Sequence, residues 1–116
     1  MLRKMPMRAS GDANIFSDVM RYLADHYREP VTLVSTAAAI GYSAGYLSHI
    51  IKKTCGMNFA AVLGSLRIEY AMYRIRSNYD GTMLDLALEC GFGTERSFHR
   101  MFRSVTGHTP GEYLRK

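Results

Sequence analysis

Apolar residues recur at three- and four-residue spacing along most of this chain and nowhere alternate convincingly with period two, so the pattern predicts helices and no strands. The stripe Ile15, Phe16, Val19, Met20, Leu23 and Tyr27 makes a first helix, with Asn14 as its candidate cap and Pro30 forcing Glu29 out of helical geometry. Thr32 opens a short second helix to about Ala39. Gly41-Tyr42-Ser43 then turns the chain, Ser43 caps a third helix from Ala44 to Cys55, and Gly56 ends it. From Asn58 to about Arg76 the pattern predicts one long helix, with Phe59, Val62, Leu63 and Leu66 on an early face and Ile68, Ala71, Met72 and Ile75 on a later one. A stripe that shifts around the axis suits a connector whose two halves pack in different lobes. After a turn at Ser77 to Gly81, Thr82 with Asp85 reads as a capping box for a helix to about Glu89. Gly91-Phe92-Gly93 turns again, and Thr94 caps a helix that carries Phe98, Met101, Phe102 and Val105. Thr109 with Glu112 is a further capping box, with Pro110 at the first position of a closing helix. The expected fold is all-α, with about seven helices.

The same phrase occurs twice, about fifty residues apart. Ala37-x-x-x-Gly41-Tyr42 and a periodic helix ending at Gly56 return as Ala87-x-x-x-Gly91-Phe92 and a helix ending at Gly107. Each copy reads as a helix-turn-helix: alanine permits a close helix crossing and glycine supplies a turn with positive φ. The repeat is not quite uniform. Ala37 matches Ala87 at an offset of 50, whereas Leu47 matches Phe98 at 51, so one residue is gained in the second turn or at the start of the following helix. The expected layout is a basic disordered arm or linker at 1–12 and a folded domain at 13–116. Within the domain lie one helix-turn-helix at about 32–56, the linker helix at about 58–76, the second helix-turn-helix at about 82–107 and a closing helix at about 110–116.

At 116 residues the chain suits one domain, or two small lobes sharing an element, without room for a large enzyme pocket. No apolar run approaches the roughly 18 residues of a membrane span, and the basic start lacks a secretory signal, so a cytoplasmic location is expected. Cys55 and Cys90 have no metal or redox spacing and read as small structural residues. His26, His49, His99 and His108 have no partner at a ligand-like local spacing, so no metal or cofactor is expected. No nucleophile triad, phosphate loop or paired-carboxylate site is recognisable, which argues against an enzyme. The formal charge of +5 favours an anionic partner, and its distribution sharpens the point. No carboxylate lies between Glu29 and Glu69, a stretch holding Lys52, Lys53 and Arg67, and the last repeated helix carries Arg96, Arg100 and Arg103 against Glu95 alone.

Ala87-Leu88-Glu89-Cys90-Gly91-Phe92, Phe98-x-Arg100-x-Phe102 and Gly107-x-Thr109-Pro110-x-x-Tyr113 closely resemble the signature of the AraC/XylS family of bacterial transcription regulators. The upstream half agrees through Gly41-Tyr42-Ser43, Tyr46-Leu47-Ser48, Lys52-Lys53, Gly56 and Arg67-Ile68-x-x-Ala71. Thr36 and Arg74 depart from the pattern where aliphatic residues are usual, and Ser97 where an aromatic is common. The resemblance covers about residues 14–115. It implies a seven-helix domain whose linker helix presents two recognition helices to successive major-groove segments of double-stranded DNA. It also implies regulation of transcription initiation, as an activator contacting RNA polymerase, in a bacterial, nucleoid-associated protein. Family members usually carry an effector-binding or dimerisation domain ahead of this one, so the chain is expected to be either a stand-alone short member or the DNA-binding domain of a longer protein.

A linker of about 19 residues spans roughly 28 Å, near the ~34 Å repeat of the major groove. Side chains at the start of a recognition helix reach base edges, and basic residues beyond them reach phosphates. In the first copy the base-reading candidates are Ala44, Gly45, Ser48 and His49, a set suited to close approach and shape. In the second they are Glu95, Arg96, His99 and Arg100, where arginine can contact guanine and glutamate cytosine. Candidate phosphate contacts are Ser43, Lys52, Lys53, Arg67, Thr94 and Arg103; each of the basic ones equally suits a solvated face. Rival readings are a protein-interaction module with only electrostatic nucleic-acid binding, and a helical RNA-binding domain.

Overall fold

The computed structural model describes residues 11–114. These form α1 (Asp12–His26), α2 (Leu33–Ile40), α3 (Ala44–Cys55), α4 (Phe59–Arg76), α5 (Met83–Cys90), α6 (Glu95–Thr106) and α7 (Pro110–Leu114), and no strand occurs among the described residues. The expected arm at 1–12 and the last two residues of the closing helix lie outside the described residues, apart from Gly11 and Asp12. Asp12 already belongs to α1. The Gly11 carbonyl accepts from the amides of Asn14 and Ile15, at 3.0 and 3.1 Å, so the helix opens two residues before the expected Asn14 cap. An acidic first residue there also suits the positive end of the helix dipole.

Capping explains most of the other boundaries. The hydroxyls of Thr32, Ser43, Thr82 and Thr94 each accept from an amide three residues on, and Asn58 does the same for Ala61. At Thr109 the reciprocal bonds of a capping box are both made with Glu112, as the sequence predicts. At Thr82 only the Asp85 amide bond forms among the described residues; the second complete box is at Thr32, closed by the Ser35 hydroxyl instead of a carboxylate.

The described residues divide into two compact units, residues 11–26 with 31–62, and residues 27–30 with 63–114. The boundary within α4 falls between Val62 and Leu63. In the first unit α1 packs on α2 and α3, and α2 on α3. Its buried side chains are mostly aliphatic: Ile15, Val19, Leu23, Leu47, Ile50 and Ile51, with Ala37 where the helices crowd. Thr36 is also fully buried, and its Oγ1 has no hydrogen-bond partner among the described residues.

The second unit is built on rings. Ile68, Ala71 and Ile75 of α4 meet Leu86, Ala87 and Cys90 of α5, and Phe92, Phe98 and Phe102 complete the core. Ring centroids of Phe92 and Phe98, Phe98 and Phe102, and Phe102 and Tyr113 are 5.6, 5.7 and 5.6 Å apart, within the range of favourable aromatic pairs. This chain of rings ties the α5–α6 turn, α6 and α7 together. Burial pushes the Cys90 thiol up to about 11, against the opposing pull of the Arg28, Arg74 and Arg67 guanidiniums. It is a neutral, buried core residue with no disulfide partner.

Candidate nucleic-acid interface

The repeated helices α3 and α6 have the same length, 12 residues, a hydroxyl cap and a left-handed glycine, Gly56 or Gly107, after the last turn. Aligned at their caps, Leu47 and Ile51 face their unit's core where Phe98 and Phe102 do in the second copy. The residue gained by the repeat can now be placed. Tyr42 and Phe92 both donate to the carbonyl of the repeated alanine, Ala37 or Ala87, at 2.9 Å, so they are equivalent; Ser43 and Thr94 are equivalent caps. The extra residue is Gly93, exposed in the turn.

The outward face of α6 carries Arg96, Ser97, Arg100, Arg103 and Ser104, all exposed. Arg96, Arg100 and Arg103 have no ion pair among the described residues. Glu95 and His99 stand apart from that face: both are half-buried, and His99 Nε2, shielded and without a hydrogen bond among the described residues, lies 3.6 Å from the Glu95 carboxylate. Of the four expected base readers in this copy, two point outward with the arginine row and two face one another along its edge.

On α3 the equivalent row is Gly45, His49 and Lys52, with Tyr46 and Lys53 beside it. Gly45 and His49 are exposed, whereas Ala44 and Ser48 are half-buried. A Cβ at Gly45 would meet nothing within 4 Å, so the helix surface there is open. Lys53 pairs with Asp12 at 3.0 Å in an exposed position. Tyr46, 46% exposed, was not expected among the outward residues, because a tyrosine in an apolar-periodic helix reads as core. Its ring lies 5.8 Å from that of Tyr42. Counting three residues back from His49 would have placed it on the outward side.

Ser43 and Thr94, expected at phosphates, are exposed, and each hydroxyl oxygen already accepts from a helix amide, at 3.2 and 3.0 Å. Thr94 also donates to Ser97 Oγ at 3.0 Å. Arg67 is differently placed from the other candidate phosphate contacts. Its Nε donates to the Tyr27 carbonyl at 2.6 Å and one terminal nitrogen to the Glu29 carbonyl at 2.8 Å, and burial lowers its pKa from the ordinary arginine value. Beside it Arg28 donates to the Glu89 carbonyl at 2.8 Å and lies over the Tyr70 ring, 4.3 Å from its centroid. The Tyr70 hydroxyl donates to the Glu89 carboxylate, which also pairs with Arg74. Sequence reasoning missed Arg28: its partners lie 61 and 42 residues away, and no local pattern marks it. Arg74, the polar departure in the linker helix, is held by Glu89 and lies over the Tyr79 ring.

Among the described residues, no group of three or more His, Cys, Asp or Glu side chains could hold a metal, and no helix is long and apolar enough to cross a membrane. What the surface offers is two helical faces of matched geometry, one rich in unpaired guanidiniums.

Comparison with known proteins agrees with that geometry. The helix-turn-helix domain profile of one protein family matches residues 36–116. An uncharacterized HTH-type transcriptional regulator of Escherichia coli (strain K12), YijO, is 33% identical over 108 residues, covering 93% of this chain and 38% of that protein. The C-terminal domain of AraT, a response regulator from Geobacillus stearothermophilus, is 28% identical with a TM-score of 0.80, over 87% of this chain and 84% of that one. The DNA-binding domain of AdpA, a global transcriptional factor solved in complex with a target DNA, shares the fold, with a TM-score of 0.76 at 20% identity over 85% of this chain and 88% of that one.

Proposed function

Because the chain belongs to the AraC-type helix-turn-helix family of transcription regulators, a family of DNA-binding proteins and not of enzymes, we propose that it reads two successive major-groove segments of one duplex, with α3 in one and α6 in the other. The observation that carries this reading is the row Arg96, Arg100 and Arg103, exposed and unpaired on the outward face of a capped helix. Arg96 and Arg100, nearer the helix start, contact guanine edges; Arg103 reaches a phosphate. Glu95 and His99 act as a pair at the edge of the contact, with Glu95 available to a cytosine amino group.

The α3 copy reads differently. Gly45 lets the groove floor come close, Ala44 and Tyr46 offer apolar contact, and Ser48 and His49 add the polar contacts this helix has. Ser43, Thr94, Lys52 and Lys53 serve phosphates, Lys53 in exchange for its Asp12 partner. Arg67 leaves the phosphate set, since its two hydrogen bonds commit the guanidinium to main-chain carbonyls. The regulator acts on transcription initiation as an activator, through contact with RNA polymerase, and is nucleoid-associated. The chain spans 38% and 16% of the lengths of two curated relatives it matches, and an effector or dimerisation segment belongs to the remainder of such proteins.

Selection of bound sites from a random duplex library at physiological salt tests this directly. Two short boxes about one helical turn apart, bound at least ~10³-fold more tightly than a scrambled duplex, are expected. A single enriched box would confine base reading to one helix, and no enrichment would overturn the reading in favour of non-specific electrostatic binding. Lys53→Ala should weaken every duplex alike.

A further inference from the structure

The second turn is clasped, and the first is not. A Cβ built on Gly41 would meet nothing within 4 Å. At Gly91 it would meet Arg67 Nε at 2.8 Å and the carbonyl oxygen and carbon of Arg28 at 2.9 and 3.0 Å. Both glycines have positive φ, +89° and +107°, so both turns exclude a side chain on backbone grounds. Only the second turn also needs the space.

The Gly91 turn therefore sits directly against a guanidinium, which in turn fixes the carbonyls of Tyr27 and Glu29. That guanidinium also lies 5.5 Å from the centre of the Phe92 ring, and Phe92 packs against Phe98 of α6. Arg28 closes the other side by donating to the Glu89 carbonyl at the end of α5. The chemistry requires arginine. A guanidinium donates to the two carbonyls from nitrogens held in a rigid planar fork, whereas an ammonium is a point charge on a flexible stem and does not fix the two carbonyls relative to each other.

We propose that Arg67 is a positioning residue for base recognition by α6: by clasping the Tyr27–Pro30 segment against Gly91 and Phe92 it sets the α5–α6 turn, and through Phe98 the orientation from which Arg96 and Arg100 meet the bases. The proposal rests on the DNA reading above and adds a determinant that makes no contact with DNA. It separates two roles for one cation. A phosphate contact needs charge and is satisfied by lysine; a clasp needs the guanidinium plane.

The test uses the whole chain and four duplexes: the selected two-box site, that site with either box scrambled, and a full scramble. Arg67→Lys is expected to lower affinity for the two-box duplex about tenfold, the scale of a lost charge-assisted hydrogen bond. The deficit should vanish when the α6 box is scrambled and persist when the α3 box is. Base preference within the α6 box should flatten, and the salt dependence of binding should match that of the unaltered chain. Amides from Gly91 to Phe98 should exchange faster in the free protein, while those of Gly41 to Leu47 do not. Gly91→Ala should reproduce this pattern and Gly41→Ala should not. Ile75→Val supplies the control for stability alone, because it loosens the same core at a residue outside both the clasp and the ring series.

Arg67→Lys binding like the unaltered chain, with Arg67→Gln weakening all four duplexes alike and reducing the salt dependence, would identify a phosphate contact and overturn the proposal. So would equal flattening of base preference by Ile75→Val at a matched melting temperature. If the unaltered chain shows no two-box preference, the DNA reading itself has failed, and a clasp acting on DNA recognition fails with it. A failure of the clasp alone shows only in the variants.

Discussion

The helices α3 and α6 share length, cap type and terminating glycine, yet where α6 displays Arg96, Arg100 and Arg103, α3 displays Gly45, His49 and Lys52. Their supports differ in parallel. The α3 unit packs chiefly aliphatic side chains and leaves its turn unbraced at Gly41; the α6 unit packs a series of aromatic rings and braces Gly91 with Arg67 and the Arg28 main chain. A long, charged side chain that must discriminate between bases depends on the orientation of the helix beneath it, since a small rotation moves a guanidinium tip by much more than it moves a Cα. A helix that reads by close approach and shape tolerates more. On the proposed reading, the braced turn and the ring series therefore lie under the helix that carries the arginines.

The largest expected effect is on that scaffold. Phe98→Ala should destabilise the chain by about 3–5 kcal/mol in denaturant unfolding, against about 2–5 kcal/mol for the equivalent Leu47→Ala. A smaller loss at Phe98 than at Leu47 would mean that the ring series adds nothing beyond buried area. Next in size, Arg100→Ala should remove about 1–3 kcal/mol of discrimination between selected and scrambled duplex, with little change for His49→Ala. Equal losses on both duplexes for Arg100→Ala would erase the functional difference between the two helices.

The buried Thr36 offers a smaller effect of opposite sign. Its hydroxyl is unpaired where the second copy has Leu86, so Thr36→Val should stabilise the fold by about 1 kcal/mol, seen as a raised melting temperature. A lowered one would reveal a partner for that hydroxyl. Smallest is Gly45→Ala, expected to strengthen α3 by up to ~1 kcal/mol because the site is helical and open, while weakening binding to the selected duplex. Gain in both stability and affinity would show that α3 does not need close approach there.

Much of this was legible along the chain because it is local. Caps at Thr32, Ser43, Thr94 and Thr109, the turn at Gly41 and its repeat at Gly91 are each set by residues within a few positions of one another, and their side-chain chemistry is specific. The errors are instructive for the same reason. Asn14 has the chemistry of a cap, but the free Gly11 carbonyl three residues earlier starts α1 first. Glu95 and His99 are four residues apart, a spacing that brings side chains together on one helix, so their approach to one another was legible in the sequence as well. Arg67 was out of reach: a basic residue on a helix looks the same in sequence whether it faces solvent or two carbonyls some forty residues away. The gained residue could be narrowed only to the turn or the start of α6, and needed the backbone bond of Phe92 to be identified as Gly93.

The assignment of Tyr27–Pro30 to the second unit, although α1 and α2 on either side of it belong to the first, limits how this architecture can be recombined. A chimera joined between Val62 and Leu63 would transplant a reading helix whole and leave four residues of its unit behind with the donor. A graft that preserves the second reader has to carry residues 27–30 along with it, as a second, separate insertion.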